Sequence, residues 1–206
     1  MNATMPPQIV THSPHTAEDV IAVDCLRRIT VDEYHRMIAA GILKAGEPVE
    51  LLDGLLVQKM PRNPPHDGTL SRLLKMLFRA IPDGWDARCQ MAVTLAASEP
   101  EPDIAVVRQD PDDFKSRHPE VSDTALAVEV SDSSLERDLN FKLRRYAEEN
   151  VPEYWVVNIP DRQVEVFTQP TPAGYQSRLI YPVGSQVPVV LDGQPVALID
   201  VAELFR

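Results

Sequence analysis

Residues 125–158 have the sequence ALAVEVSDSSLERDLNFKLRRYAEENVPEYWVVN, and this stretch decides the fold. It opens with an apolar run, ALAVEV, whose length and bulk are typical of a strand covered on both faces. One carboxylate, Glu129, lies inside this run. Because an ionised side chain is costly to bury, Glu129 needs a charged partner or a function.

The residues after this strand have the spacing of an amphipathic helix. Ser133 or Ser134 can cap it, and its apolar positions recur at steps of three and four: Leu135, Leu139, Leu143 and Tyr146. Lys142 follows Leu135 by seven residues, almost two full turns, so we predict that its ammonium points inward with the leucines. We interpret Tyr146 as a core residue.

The helix is predicted to end at Asn150, a C′ residue that tolerates the left-handed conformation, and Pro152 prevents its continuation. A second apolar run, YWVV, then forms another strand in which Trp155 belongs to the core. A right-handed strand–helix–strand crossover makes the two strands parallel neighbours. We therefore predict an α/β fold with a mixed sheet flanked by helices.

Length and composition favour one domain. With 206 residues and 44% hydrophobic content, we expect residues 25–206 to form it and residues 1–24 to be a flexible arm. The sequence contains neither the roughly 18 consecutive apolar residues of a membrane helix nor the features of a signal peptide, so we expect a cytoplasmic protein without a membrane partner. Cys25 and Cys89 have no metal-site or disulfide spacing, and we interpret both as packing residues.

Upstream patterns supply the other candidate residues. Thr30 and Glu33 form a capping box, and Asp53-Gly54 between apolar runs predicts a tight hairpin with Glu50 in its first strand. His66 stands just before an amphipathic helix predicted over residues 70–80, with Phe78 on its buried side.

Strands are predicted at residues 86–95 and 103–108, separated by the turn-rich link SEPEP. This link places Asp103 at the start of the second strand. Further strands are predicted at residues 164–168, 175–181 and 187–191, and Asp200 can cap a last short helix.

Asp103 and Glu129 are the candidate metal ligands, because converging carboxylates suit a hard cation such as Mg²⁺ or Mn²⁺. With an inward Lys142, this set could hydrolyse a phosphodiester bond. From residue types alone, a structural ion pair between Glu129 and Lys142 is the favoured alternative. For Asp138 we favour a surface pair with Lys142, four residues later.

Three motifs in order, Pro102-Asp103, then Glu129, then EYWVVN, resemble the PD-(D/E)XK nuclease superfamily, and the chain is similar to its Uma-type restriction endonuclease family over about residues 30–205. The resemblance implies a restriction-endonuclease-like fold, in which positions matching Asp103 and Glu129 bind the metal. The superfamily lysine usually follows the second acid by two residues, where this chain has Ser131. In the Uma-type branch it has moved to the next helix, matching Lys142.

The same resemblance implies further roles. Segments VELLDG and MPRNPPH are similar to the family's opening motif, which makes Glu50 an additional catalytic acid and His66 an additional metal ligand. It also implies a nucleic-acid partner, DNA, and a homodimer. The non-catalytic alternative for Glu50 is a solvated edge residue, and for His66 it is a local hydrogen-bonding partner.

The formal net charge of −11 argues against a broad basic surface. It favours a second hypothesis, a non-catalytic binding or assembly module that retains the nuclease fold. The prediction is therefore a metal-dependent endonuclease, with this module as the alternative.

Overall fold

Strand β5, Thr124–Ser131, lies at the centre of the sheet in the computed structural model, which describes residues 26–44 and 46–206. All eight of its residues are buried. It pairs in parallel with β6, Glu153–Asn158, and antiparallel with β4, Ile104–Arg108. The predicted parallel pair is confirmed. The predicted arm and Cys25 lie outside the described residues.

The main sheet also contains β3, Trp85–Cys89; β7, Gln163–Thr171; and β8, Gly174–Pro182. Its six strands lie in the order β3-β4-β5-β6-β7-β8, in which only β5 and β6 are parallel. This is the mixed α/β architecture that the sequence predicts.

Helices cover both faces of the sheet. On one face lies α2, Pro64–Ala80, which buries Leu70, Leu73 and Leu77. Phe78 was predicted on this buried side but is 57% exposed, so that prediction was wrong. Within the described part of the chain, no helix combines the length and hydropathy needed to span a bilayer.

The second face is covered by a helical segment that contains a π-turn. Helix α3, Leu135–Arg137, continues through the π-turn Asp138–Lys142 into α4, Leu143–Glu148. The backbone N–H of Leu143 donates to the carbonyl of Asp138, which also accepts a hydrogen bond from the Tyr154 hydroxyl at 3.1 Å. The segment was predicted to be a regular α-helix, so this π-turn is a correction. Asn150 ends the segment at φ 63°, as predicted.

The N-terminal hairpin also follows its sequence signal. Strands β1, Val49–Leu52, and β2, Leu55–Gln58, are joined by Asp53 and Gly54 at φ 51° and 73°, the left-handed pair of a type I′ turn. Helix α1, Val31–Ala39, begins at the predicted capping box. A hydrogen bond of 2.7 Å from Glu99 N to Leu51 O fastens the hairpin to the segment before β4.

The C-terminal part adds a two-stranded sheet. Strand β9, Gln186–Leu191, pairs with β10, Gln194–Asp200, which the sequence analysis did not predict. The missed strand is mostly exposed and its alternation is broken by a register shift after Pro195. Asp200 caps α5, Val201–Leu204, through Ala202 N.

Glu153 is a buried acid of β6 without a basic partner among the described residues. Burial raises its pKa to about 7, although the Trp155 indole N–H donates a hydrogen bond that lowers it. A raised acid pKa makes the folded state bind its proton more tightly than the unfolded chain does. The stability that Glu153 contributes is therefore greatest at a pH below its pKa in the unfolded chain, and it is lost as the pH rises through its pKa in the folded protein.

We predict that Glu153→Gln removes this loss. The difference in the free energy of unfolding, variant minus parent, should therefore increase by roughly 2–3 kcal/mol between about pH 4.5 and about pH 8. Urea unfolding at both pH values measures the change, with the exposed Glu136→Gln as control. A difference between variant and parent that is independent of pH would contradict the prediction.

Candidate active site

The two predicted metal ligands lie at the point where β4 and β5 meet. Ile104 pairs with Val128, so extending this antiparallel register by one residue sets Asp103 opposite Glu129. Asp103 accepts hydrogen bonds from Val130 N at 2.9 Å and from Gln90 Nε2 at 3.2 Å. The carboxylate of Asp103 is therefore held in position by both neighbouring strands.

Lys142 reaches this point from the helical segment. Its Nζ lies 2.9 Å from Glu129 Oε1 and 3.4 Å from Glu50 Oε1, and all three side chains are buried. Tyr146 follows Lys142 by four residues, one turn of α-helix, and its hydroxyl donates to the same Glu129 oxygen at 3.2 Å. The predicted inward direction of Lys142 is found, but the π-turn sets it rather than an unbroken α-helical spacing from Leu135.

His66 lies at the third position of α2, not before the helix as predicted. Asn63 caps the helix, and its side chain accepts from His66 N at 3.1 Å. The imidazole Nε2 is 3.1 Å from Asp103 Oδ2. Burial lowers the pKa of His66, but the hydrogen bond and charge of Asp103 raise it more, and the net direction is upward. Burial raises the pKa of Asp103, but His66 and the hydrogen bond from the Val130 amide lower it by more, so the pKa of Asp103 is lowered overall.

One cleft of about 610 Å³ is lined by all five candidate residues: Glu50, His66, Asp103, Glu129 and Lys142. Only Glu50 sits on the hairpin, where its Oε2 accepts from Glu101 N at 3.2 Å. The alternative that Glu50 is a solvated edge residue was wrong, since Glu50 is 1% exposed. Five separate segments, β1, α2, the link before β4, β5 and the π-turn, thus contribute to one cavity.

Acidic charge exceeds basic charge inside this cleft. Burial raises the pKa of Glu129 well above its usual range, an effect that Lys142 only partly offsets and that Asp138, Asp103 and Glu50 reinforce. Burial lowers the pKa of Lys142, but the surrounding carboxylates raise it by more. The pKa of Lys142 is therefore raised overall, and the ammonium stays protonated.

The donor set fits a hard divalent cation. Glu50 Oε1 is buried and accepts no hydrogen bond, and a cation would compensate the excess of carboxylates. Among the described residues, the group that brings three ligand atoms within 4.8 Å of one another is His35, Glu99 and His118, outside the cleft. The cleft residues lie farther apart and would not surround a cation by themselves. The cleft therefore suits a metal that keeps part of its water shell, as Mg²⁺ does.

Two functional candidates were missed or misassigned. Asp138 is buried, and its Oδ2 accepts from the hydroxyls of Ser131 at 2.8 Å and Ser134 at 2.5 Å, so the predicted surface pair with Lys142 was wrong. Tyr146 is a core residue as predicted, but its hydroxyl also contacts Glu129. The spacing of Tyr146 from Lys142 was the only sequence signal for that contact.

Comparisons with known proteins agree with this architecture. Residues 31–198 match the Uma2 family, described as "Putative restriction endonuclease". A crystal structure of a putative nuclease belonging to DUF820 from Anabaena variabilis superposes with a TM-score of 0.69 at 16% identity, covering 86% of this chain and 97% of that chain. No curated protein matches the chain significantly. The structural likeness shows a shared fold.

Because Lys142 compensates two buried acids, we predict that Lys142→Met lowers the free energy of unfolding by about 3–5 kcal/mol without added metal. Adding Glu129→Gln should recover part of this loss, because one uncompensated charge is then removed. Urea denaturation of the full double-mutant cycle measures the coupling. Arg144→Met, at an exposed pair on the same helix, is the control and should change stability by no more than about 0.5 kcal/mol. Strict additivity would contradict the prediction.

Proposed function

The chain belongs to the Uma2 family of putative restriction endonucleases, and on that premise we propose that it hydrolyses phosphodiester bonds of nucleic acid, with DNA as substrate and Mg²⁺ or Mn²⁺ as cofactor. The observation that carries this proposal is the convergence of Asp103, Glu129 and Lys142 on one cleft. These residues are separated along the chain, and a fold alone would not require them to meet.

Asp103 and Glu129 would hold the cation, with His66 as a further ligand or as the group that keeps Asp103 ionised. When bound, the cation would stabilise the negative charge that develops on the phosphate and make water a better nucleophile. His66 supports the charged form of Asp103, because their 3.1 Å contact contributes to the lowered pKa of that acid. The pKa of His66 is raised in return.

Lys142 would stabilise the transition state as a fixed positive charge. Glu129 and Glu50 hold its ammonium at 2.9 and 3.4 Å, so little reorganisation is needed when a phosphate enters. Tyr146 orients Glu129 through its hydroxyl, whose pKa is raised by burial and by Glu129, so it acts as a donor. Glu50, whose Oε1 lies 3.4 Å from the ammonium, would help to position the lysine.

Basic side chains at the cleft support a nucleic-acid substrate despite the acidic chain. Besides Lys142, the lining includes Lys59, Arg62 and Arg137. Arg62 is half exposed, and its nearest carboxylate contact, with Asp67, is 4.0 Å. These groups could contact backbone phosphates. Phosphate contacts supply a large share of the affinity for nucleic acid, and a few of them at one cleft need no broad basic surface.

We predict that the protein with Mn²⁺ or Mg²⁺ cleaves DNA, and that Asp103→Asn, Glu129→Gln and Lys142→Met each reduce the rate at least about a hundredfold. Linear, circular and branched DNA, together with RNA, should be assayed by gel. Glu153→Gln, a buried acid outside the cleft, is the matched control and should retain activity. Cleavage that is equal in all variants would indicate a contaminating nuclease and contradict the assignment.

The rival function is a non-catalytic binding or assembly module, which the net charge of −11 favours. Calorimetric titration with Mn²⁺ distinguishes the two. The nuclease proposal expects binding that is weakened at least about tenfold by Glu129→Gln. Absence of Mn²⁺ binding, or binding unaffected by this change, would favour the rival.

We also propose that the protein acts as a homodimer, because two copies would place one site at each strand of a duplex. Strand β8 is an edge of the main sheet, and Leu179 and Ile180 on it are 52% and 49% exposed. Apolar side chains on an unpaired edge are typical of surfaces that pair with another chain. Sedimentation equilibrium should give twice the monomer mass, and Ile180→Lys should reduce it; a monomer at all concentrations would contradict this.

A further inference from the structure

Three potential metal ligands meet outside the cleft. His35 Nε2 lies 2.9 Å and 2.7 Å from the two carboxylate oxygens of Glu99, and His118 Nε2 lies 4.0 Å from Glu99 Oε1. One ligand atom from each residue lies within 4.8 Å of the others. They come from α1, from the link before β4, and from the loop before β5, so tertiary folding alone brings them together.

The carboxylate of Glu99 is buried while both histidines reach solvent. Glu99 is 3% exposed, whereas the side chains of His35 and His118 are 46% and 44% exposed. Among the described residues, the only ion-pair partners of Glu99 are these two imidazoles, with no lysine or arginine. Protonation of His35 or binding of a metal cation would compensate the charge of this buried carboxylate.

The surrounding contacts orient this carboxylate. Thr94 donates its hydroxyl to Glu99 Oε2 at 2.8 Å, and Thr94 N donates to Pro119 O, next to His118, at 2.8 Å. Thr94 thus braces both the acid and the loop that carries His118. Hydrogen bonds of this kind fix first-row metal ligands in position in known metal sites.

Two imidazoles and one carboxylate select a different metal from the cleft. Imidazole suits Zn²⁺ and its first-row neighbours, whereas Mg²⁺ prefers oxygen ligands. Zinc is held by nitrogen and carboxylate ligands at about 2.0–2.2 Å, which places ligand atoms roughly 3–4 Å apart in a tetrahedron. The three ligand atoms, all within 4.8 Å of one another, need to move by only about 1 Å to reach this geometry.

We propose that His35, Glu99 and His118 form a second metal site, for Zn²⁺ or a similar first-row cation, which fastens α1 and the loop before β5 to the link that leads to Asp103. The site is separate from the nuclease cleft in position and in ligand chemistry. Its coordination leaves a fourth position for water, because two of its ligands face solvent. It stands whether or not the cleft is catalytic.

The test uses metal-free, full-length protein without a histidine tag, titrated with Zn²⁺ in excess Mg²⁺ so that the oxygen-rich cleft is occupied. We expect one zinc equivalent that raises the melting temperature by several degrees. His118→Ala should weaken binding at least about tenfold. It should change the metal-free melting temperature by no more than about 2 °C, since the His118 side chain is largely exposed and its contact with Glu99 is 4.0 Å long.

The other histidines provide matched controls, because the chain has five histidines in all. His66→Ala and the double variant His12→Ala/His15→Ala should retain the zinc-dependent shift, and His35→Ala should lose it. Visible absorption of substituted Co²⁺ should disappear in His35→Ala and His118→Ala only. No zinc binding, or binding lost in His66→Ala and kept in His118→Ala, would overturn the proposal.

Discussion

The buried contact between Lys142 and Glu129 is the interaction on which the arrangement of the cleft depends. It joins the central strand to the helical segment that crosses over to β6, and it places a positive charge between two acids, with Glu50 completing the set. Such a pair is costly to bury and contributes little net stability, so stability alone is a weak reason for it. Under the proposed function, the chemistry of the cleft accounts for a lysine held between buried acids.

The π-turn explains how this lysine reaches the acid. An insertion of this kind leaves backbone carbonyls without their regular partners, and here the Tyr154 hydroxyl from β6 donates to Asp138 O. Turns of this type are frequent at functional sites. Lys142 is the last residue of the π-turn and Tyr146 lies in α4, one turn later, so both side chains contact one oxygen of Glu129.

Much of the architecture was predictable because strong local signals coincide with tertiary contacts. The parallel β5–β6 pair, the Asp53-Gly54 turn and the caps at Thr30 and Asp200 follow from patterns with defined backbone consequences. The candidate residues were predictable as a set from the family motif order. The π-turn, the burial of Asp138 and the position of His66 within α2 were not, since they depend on hydrogen bonds between distant segments. The same limit hid His35, Glu99 and His118, which lie far apart in sequence.

The link over residues 98–103 connects the two clusters physically. Glu99 N bonds to Leu51 O, Glu101 N to the Glu50 carboxylate, and Gln90 N to Asp103 O, so successive residues fasten the hairpin and the sheet edge to the same backbone. Glu99 is then directed toward His35 while Asp103, four residues later, enters the cleft. Because the link is short and is bonded at both ends, Glu99 of the one cluster and the acids Glu50 and Asp103 of the cleft are held by the same stretch of backbone.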